Sequence, residues 1–186
     1  MGRKFTKIPT DTFESLTLNA GVLAKNFNPT TGEIQNNDIL GATTGGLQFS
    51  HTHEFVDFGE DIDNCAKNTK ELKDINYTTT KVSGTMLTMK AETIARLMIG
   101  DVDEQNAKHI VPRNVLKDTD FADLWLIADY GKTDGKAIAI HMMNTLSTAG
   151  FAMQTTDKNK GQYAFEFTAH YSLNDQDTVP VEVFIG

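Results

Sequence analysis

The sequence holds one cysteine, Cys65, so no internal disulfide can staple the chain. No window approaches the roughly 18 apolar residues that a membrane-spanning helix needs. The opening GRKFTKIPTDTF lacks the apolar stretch of a secretory leader. Synthesis in a reducing cytosol, with no insertion into a membrane, is the expectation. Bases are in deficit: 17 Lys and Arg stand against 25 Asp and Glu, for a formal net charge of −8. Proteins that hold nucleic acid electrostatically do so by neutralising phosphates with Lys and Arg, so adhesion to DNA or RNA is not what this composition serves.

Catalytic signatures are missing as well. There is no GxSxG elbow, no P-loop and no GxGxxG opening a helix; Gly45-Gly46 precedes a strand pattern and cannot cradle a phosphate at a helix N-terminus. His51 and His53 stand two apart, hence on one strand face, which is a possible metal pair. No Cys or acidic third ligand sits at a recognisable spacing, so a core or sheet-surface role is expected for both. His141 and His170 read as strand histidines rather than catalytic bases. Cys65 lies in a polar stretch with no activating neighbour in sight and reads as an ordinary thiol. The chain is not expected to be an enzyme, or to need a metal or cofactor.

What is present is strand patterning. The chain has 186 residues, 39% hydrophobic and 23% charged, enough for one globular domain over 1–186 with a real core. From 47 to 55 the residues alternate, with Leu47, Phe49, His51, His53 and Phe55 on one face and Gln48, Ser50, Thr52 and Glu54 on the other. From 75 to 88 the run INYTTTKVSGTMLT is rich in β-branched residues. Thr78, Thr80, Val82 and Met86 share one face, opposite Tyr77, Thr79, Lys81, Ser83 and Thr85. Between them, residues 57–74 begin with acids (Asp57, Glu60, Asp61, Asp63) and continue with bases (Lys67, Lys70, Lys73). A hairpin turn needs only about two to five residues, so this connection is either a solvated loop or an arm that reaches a neighbour.

Residues 13–27 read as two short strands around Asn19-Ala20-Gly21, followed by a turn at residues 28–32. ATTGG, from Ala42, supplies glycines able to take positive φ, marking a tight turn into the strand or a bulge. In KAETIARLMIG, Ile94, Leu97 and Met98 fall at helical spacing with Ala91 and Ala95 alongside. This predicts one short helix of about three turns, stopped by Gly100. Asp101 to Asn106 reads as an acidic loop, and Val111-Pro112-Arg113 ends the strand before it. FADLWLIADY (121–130) and AIAIHMMNTL (137–146) are apolar on both faces, hence central, and flank a hairpin signal at Asp134-Gly135. In QYAFEFTAHYS, Tyr163, Phe165, Phe167, Ala169 and Tyr171 form an apolar face. Residues 179–185 are a final strand. The sum is mainly β: an antiparallel sandwich or barrel-like fold with one flanking helix. Several strands are polar along one face, and a monomer would leave flat sheet surfaces and open edges, which natural proteins pair or cover.

With these elements placed, an ordered set of segments resembles the tail tube (major tail) proteins of siphophages infecting Gram-positive bacteria. The set is ATTGG from Ala42, DFGEDIDNC from Asp57 with KNTKELK from Lys67, VPRNVLKDTDFADLW from Val111, AIAIHMMNTLSTAGF from Ala137, GQYAFEFTAHYS from Gly161 and VPVEVFI near the end. The resemblance runs from about Gly21 to the C-terminus. It implies a β-sandwich-like subunit that assembles into six-membered rings stacked as a hollow tail tube. Long strands would join across subunits into one barrel around the lumen. The tube would enclose a tape measure protein, meet the tail terminator and distal tail protein, and conduct double-stranded DNA during ejection. Its place would be the virion tail, assembled in the host bacterial cytoplasm. The lumen candidates are Gln48, Ser50, Thr52, Glu54, Thr79, Lys81, Ser83, Thr85, Glu166 and Thr168. The residues implied in contacts between subunits and rings are Asp57, Glu60, Asp61, Asp63, Asn64, Lys67, Lys70, Glu71 and Lys73. Residues 1–20 would be a flexible segment that orders on assembly.

Neutral or acidic walls suit a conduit, because they give phosphates nothing to stick to. Lys81 departs from that pattern and must either point away or be offset by a nearby acid. Three other readings remain at this level. One is the tube of a tailocin or contractile injection device, and another is a carbohydrate-binding β-sandwich. The third, a metal enzyme using His51 and His53, has the least behind it.

Overall fold

The structure, a computed structural model, describes residues 8–132 and 135–186. In chain order the strands and the helix are β1 (Thr17–Ala24), β2 (Thr43–Asp57), β3 (Lys73–Met86), α1 (Ala91–Met98), β4 (Gly100–Val102), β5 (Ile110–Pro112), β6 (Ala122–Tyr130), β7 (Ala137–Ser147), β8 (Ala152–Gln154), β9 (Gln162–Thr168) and β10 (Val181–Ile185). All ladders are antiparallel. The main sheet runs β1-β6-β7-β9-β3-β2, with β10 beside β7 and β8 beside β9, and it does not close on itself among the described residues.

The pivot of this sheet is β7. Its first part pairs with β6 and β10, whereas Leu146 and Ser147 pair with Thr168 and Phe167 of β9. Asn144, at φ +50°, bends the strand between the two halves. The chain thereby passes from a β1-β6-β7-β10 layer to a β2-β3-β9 layer, and the core fills the angle between them. That core is Leu23, Leu40, Val82, Met86, Leu97, Leu124, Ile140, Met142, Phe165, Phe167 and Ala169. On the far side of β6 and β7, Trp125 and Ala139 are covered by Phe27, Ile34, Ile127 and Phe184. The strands that are apolar on both faces are therefore covered on both faces, as expected of a central position.

Three local expectations change, and one is narrowed. The segment before Phe27 is one strand rather than two: β1 pairs with β6 throughout and absorbs a bulge between Leu18 and Val22, where Asn19 and Gly21 take positive φ. Of the two readings of ATTGG the bulge holds: Gly45 and Gly46, at φ +76° and +82°, form a second bulge inside β2. The helix is about two turns, not three. Its left-handed cap is Ile99 at φ 52° rather than Gly100. Gly100 is needed for closeness instead: it pairs with Pro112, and a Cβ there would stand 2.9 Å from the Val111 carbonyl oxygen. The Asp134 half of the hairpin signal between β6 and β7 lies outside the described residues. Among the described residues no helix is long and apolar enough to cross a membrane.

Candidate functional site

Alternation along β2, β3 and β9 gives each strand two faces, and the register decides which residues share them. Leu47, Phe49, Val82, Met86, Phe165 and Phe167 all turn into the core. The opposite face collects cross-strand rows: Gln48 beside Ser83 beside Glu166, Ser50 beside Lys81 beside Thr168, Thr52 beside Thr79, and Glu54 beside Tyr77. Thr85 joins Thr44 and Ala164, and Ala152 of β8 extends that row. All ten residues read from the sequence as lumen candidates thus lie on one continuous sheet surface, with no core against it.

The charges on this surface are held locally. Lys81 Nζ donates to Glu166 Oε1 at 3.1 Å, and the Thr148 hydroxyl donates to the same oxygen at 2.9 Å. Thr148 and Thr168 hydroxyls meet at 2.8 Å. The lysine that looked out of place therefore has its offsetting acid, 85 residues away along the chain. Glu54 accepts hydrogen bonds from the Tyr77 hydroxyl and from Asn76 Nδ2. Two acids and one lysine leave this face slightly acidic, and the rest of it is hydroxyl and amide.

The Glu166 carboxyl is held below the usual glutamate range, first by the Thr148 hydroxyl and then by Lys81. A carboxylate with a depressed folded-state pKa stabilises the fold above its unfolded pKa, and that contribution is lost as pH falls through the folded value. Wild-type protein should therefore lose more stability between pH 6 and pH 3 than Glu166→Gln does, measured as denaturant midpoints at the two pH values. Equal losses would mean that the cluster does not couple to folding.

Beyond Thr80 the sheet thins. β9 leaves β3 after Lys81 pairs with Thr168, so residues 51–57 and 73–79 continue as a two-stranded ribbon. His51, His53, Phe55, Ile75 and Tyr77 on it are all exposed. The ends of the ribbon differ from the sequence boundaries. Asp57 and Lys73 are the last cross-strand pair, so the true loop is 58–72 rather than 57–74, and Asp74 lies within β3.

That loop is tied shut at its base. Asp57 accepts the Gly59 N–H at 2.9 Å and the Asn68 N–H at 2.8 Å, bonds that hold its carboxyl below the usual range. Lys67 pairs with Glu60 at 3.3 Å, Lys73 donates to Asn68, and Asn64 takes positive φ. Asp61, Asp63, Lys70 and Glu71 are exposed, and Phe58 and Ile62 stand beside them, also exposed. The loop is thus compact and displays apolar side chains to solvent at the tip of the ribbon.

A cavity of about 480 Å³ lies under α1, lined among others by Lys25, Glu92, Arg96, Arg113, Asp120 and Asp123. Most of its charges are held within the fold: Lys25 pairs with Glu92, Arg113 with Asp120 at 2.6 Å and with Asp101, and Arg96 donates to backbone carbonyls. Among the described residues no three His, Cys, Asp or Glu come together to hold a metal ion. Trp125 is only 9% exposed and stacks on His141 at 4.2 Å, so it offers no platform for a sugar ring.

Sequence reasoning missed Thr148 and Asn76, and it placed Tyr77 on this face without its hydrogen bond to Glu54. Thr148 lies just past the end of β7, and only the β7-to-β9 crossing brings it to Glu166.

No protein-family model matches the sequence, and no curated protein matches it. Among solved structures, the fold is similar to a chain of the virion of a native gene transfer agent particle. The TM-score is 0.45 at 10% identity, over 82% of this chain and 92% of the other. A chain of the tail of an empty gene transfer agent particle, refined with C6 symmetry, gives the same TM-score, identity and coverage.

Proposed function

We propose that this chain is a structural subunit of a phage-type tail tube. It assembles into six-membered rings that stack into a hollow tube, encloses a tape measure protein and then passes double-stranded DNA. The observation that carries this reading is the β2-β3-β9 layer. One face is given to the core and the other to hydroxyls, amides and locally paired charge. The layer ends in β2, a 15-residue strand with no partner on its outer edge among the described residues. An isolated soluble protein exposes such an edge to uncontrolled pairing. Pairing each β2 with the β8–β9 side of the next copy covers the open edge of this layer, and the polar face then lines a water-filled channel, as in large barrels.

On this reading the exposed apolar loop at the ribbon's tip seats on a neighbouring copy or ring, and its Asp61, Asp63, Lys70 and Glu71 set register across the contact. The siphophage-type assignment, the meeting with the tail terminator and distal tail protein, and assembly in a bacterial cytoplasm rest on the resemblance of the ordered segments described above. The test is negative-stain electron microscopy of the purified protein after concentration. Six-fold rings or hollow tubes are the expected result. Protein that sediments only as a monomer at high concentration, alone and when co-expressed with its neighbouring tail genes, would overturn the proposal.

A further inference from the structure

The exposed face of the ribbon carries two imidazoles in an arrangement that sequence spacing alone does not reveal. His51 and His53 stand side by side on β2, with ring centroids 4.9 Å apart and planes at 87°. Each Nδ1 is hydrogen-bonded to a threonine hydroxyl of the facing strand at 2.8 Å: His51 to Thr80, and His53 to Thr78. The two pairs repeat one motif at alternate rungs of the same ladder.

We propose that His51 and His53 form a two-histidine site for a divalent transition-metal ion, held through both Nε2 atoms. Two features point to it. With metal–nitrogen bonds of about 2.0 Å, two imidazoles sharing one ion at angles between about 90° and 109° stand roughly 4.5–5.1 Å apart, centroid to centroid. The observed separation falls inside that window. A ligating histidine ordinarily donates its other ring N–H to a fixed oxygen, which sets the tautomer and leaves the ligating nitrogen's lone pair free. Thr78 and Thr80 are placed to accept those protons.

Imidazole pairs of this kind prefer Cu2+ over Ni2+ and Zn2+, in the order set by ligand-field stability. No third His, Cys, Asp or Glu completes the set among the described residues, so water fills the remaining positions. The site does not depend on the tube reading.

The experiment is titration of the full chain with Cu2+–iminodiacetate, followed by calorimetry and electron paramagnetic resonance. The expected result is one copper per chain with hyperfine coupling to two imidazole nitrogens. His51→Ala and His53→Ala should each weaken uptake by at least about tenfold and reduce the coupling to one nitrogen. Both side chains are exposed, so these variants should fold, and circular dichroism checks that they do. The double variant Thr78→Val with Thr80→Val keeps both imidazoles and should weaken uptake by about 10-fold or more through loss of the supporting oxygens. No uptake by the wild type, or uptake unchanged in both alanine variants, would overturn the proposal and leave the two rings as an edge-to-face aromatic pair.

Discussion

Arg96→Ala should lower the melting temperature of this protein by roughly 4–12 °C. That range combines about 2–3 kcal/mol for stripping a buried donor from its acceptors with the 2–4 °C per kcal/mol typical of a domain this size. Arg96 projects from α1 into the place where β7 bends. Its guanidinium donates to the Ala122 carbonyl at 2.7 Å, to the Thr145 carbonyl at 3.1 Å and to the Thr145 hydroxyl. It also lies 4.8 Å from the centre of the Phe167 ring, in cation–π contact. One side chain thus joins the helix to β6, β7 and β9 at the corner that sets the angle between the two sheet layers.

Burial pushes the Arg96 pKa down to about 10, which still leaves it charged at neutral pH. Two further variants separate the contributions. Arg96→Met keeps the apolar stem against Phe167 and should recover part of the loss. Arg96→Lys keeps the charge without the planar fork and should stay well below wild type. Melting followed by circular dichroism reads all three, and a lysine variant as stable as wild type would show that the fork-shaped hydrogen bonding is not what holds the corner.

The second large effect concerns the polar sheet face and rests on the tube reading. In wild type the face carries Glu54, Lys81 and Glu166, with Lys81 and Glu166 paired at 3.1 Å. Exchanging both acids for lysine, Glu54→Lys with Glu166→Lys, leaves three bases and no acid on it. In a six-membered ring the lumen would then bind phosphate. Assembled wild-type tubes should hold short duplex DNA weakly or not at all. Tubes of the double variant should hold it at about 50 mM salt and release it by about 200 mM, since affinity falls by orders of magnitude over that interval when several phosphates are neutralised. Filter binding across a salt series reads the difference. The single variant Glu166→Gln, which leaves Lys81 without its partner, should fall between the two. If assembled tubes of the double variant bind no more DNA than wild type, this face does not line the channel.

The class of this fold was legible in the sequence because strand patterning is local. Two-residue alternation in residues 47–55 and 75–88 identified both faces of β2 and β3, and continuous apolar runs identified the central pair β6 and β7. Parity within a strand is fixed by backbone geometry, so the shared polar faces followed from counting residues. Helix length and cap were less legible. A two-turn helix ended by Ile99 in a left-handed conformation defies the usual glycine stop, and Gly100 was reserved for a close backbone approach that depends on β5.

Composition and order along the chain determined what needs only neighbours in sequence: a mainly β protein with one short helix, an acidic balance, and a strand pair with one polar face. Tertiary structure decided what depends on register and crossing. It set Lys81 against Glu166 and Thr148, because β3, β9 and the end of β7 converge there. It sent Arg96 inward, although a basic residue in the last turn of an amphipathic helix reads as a solvated charge beside the helix dipole. It also ended the support of β9 at Lys81, which frees residues 51–57 and 73–79 as a ribbon and sets His51 and His53 over Thr80 and Thr78. Periodicity assigns a residue to a face; only packing decides whether that face meets a core, water or another molecule.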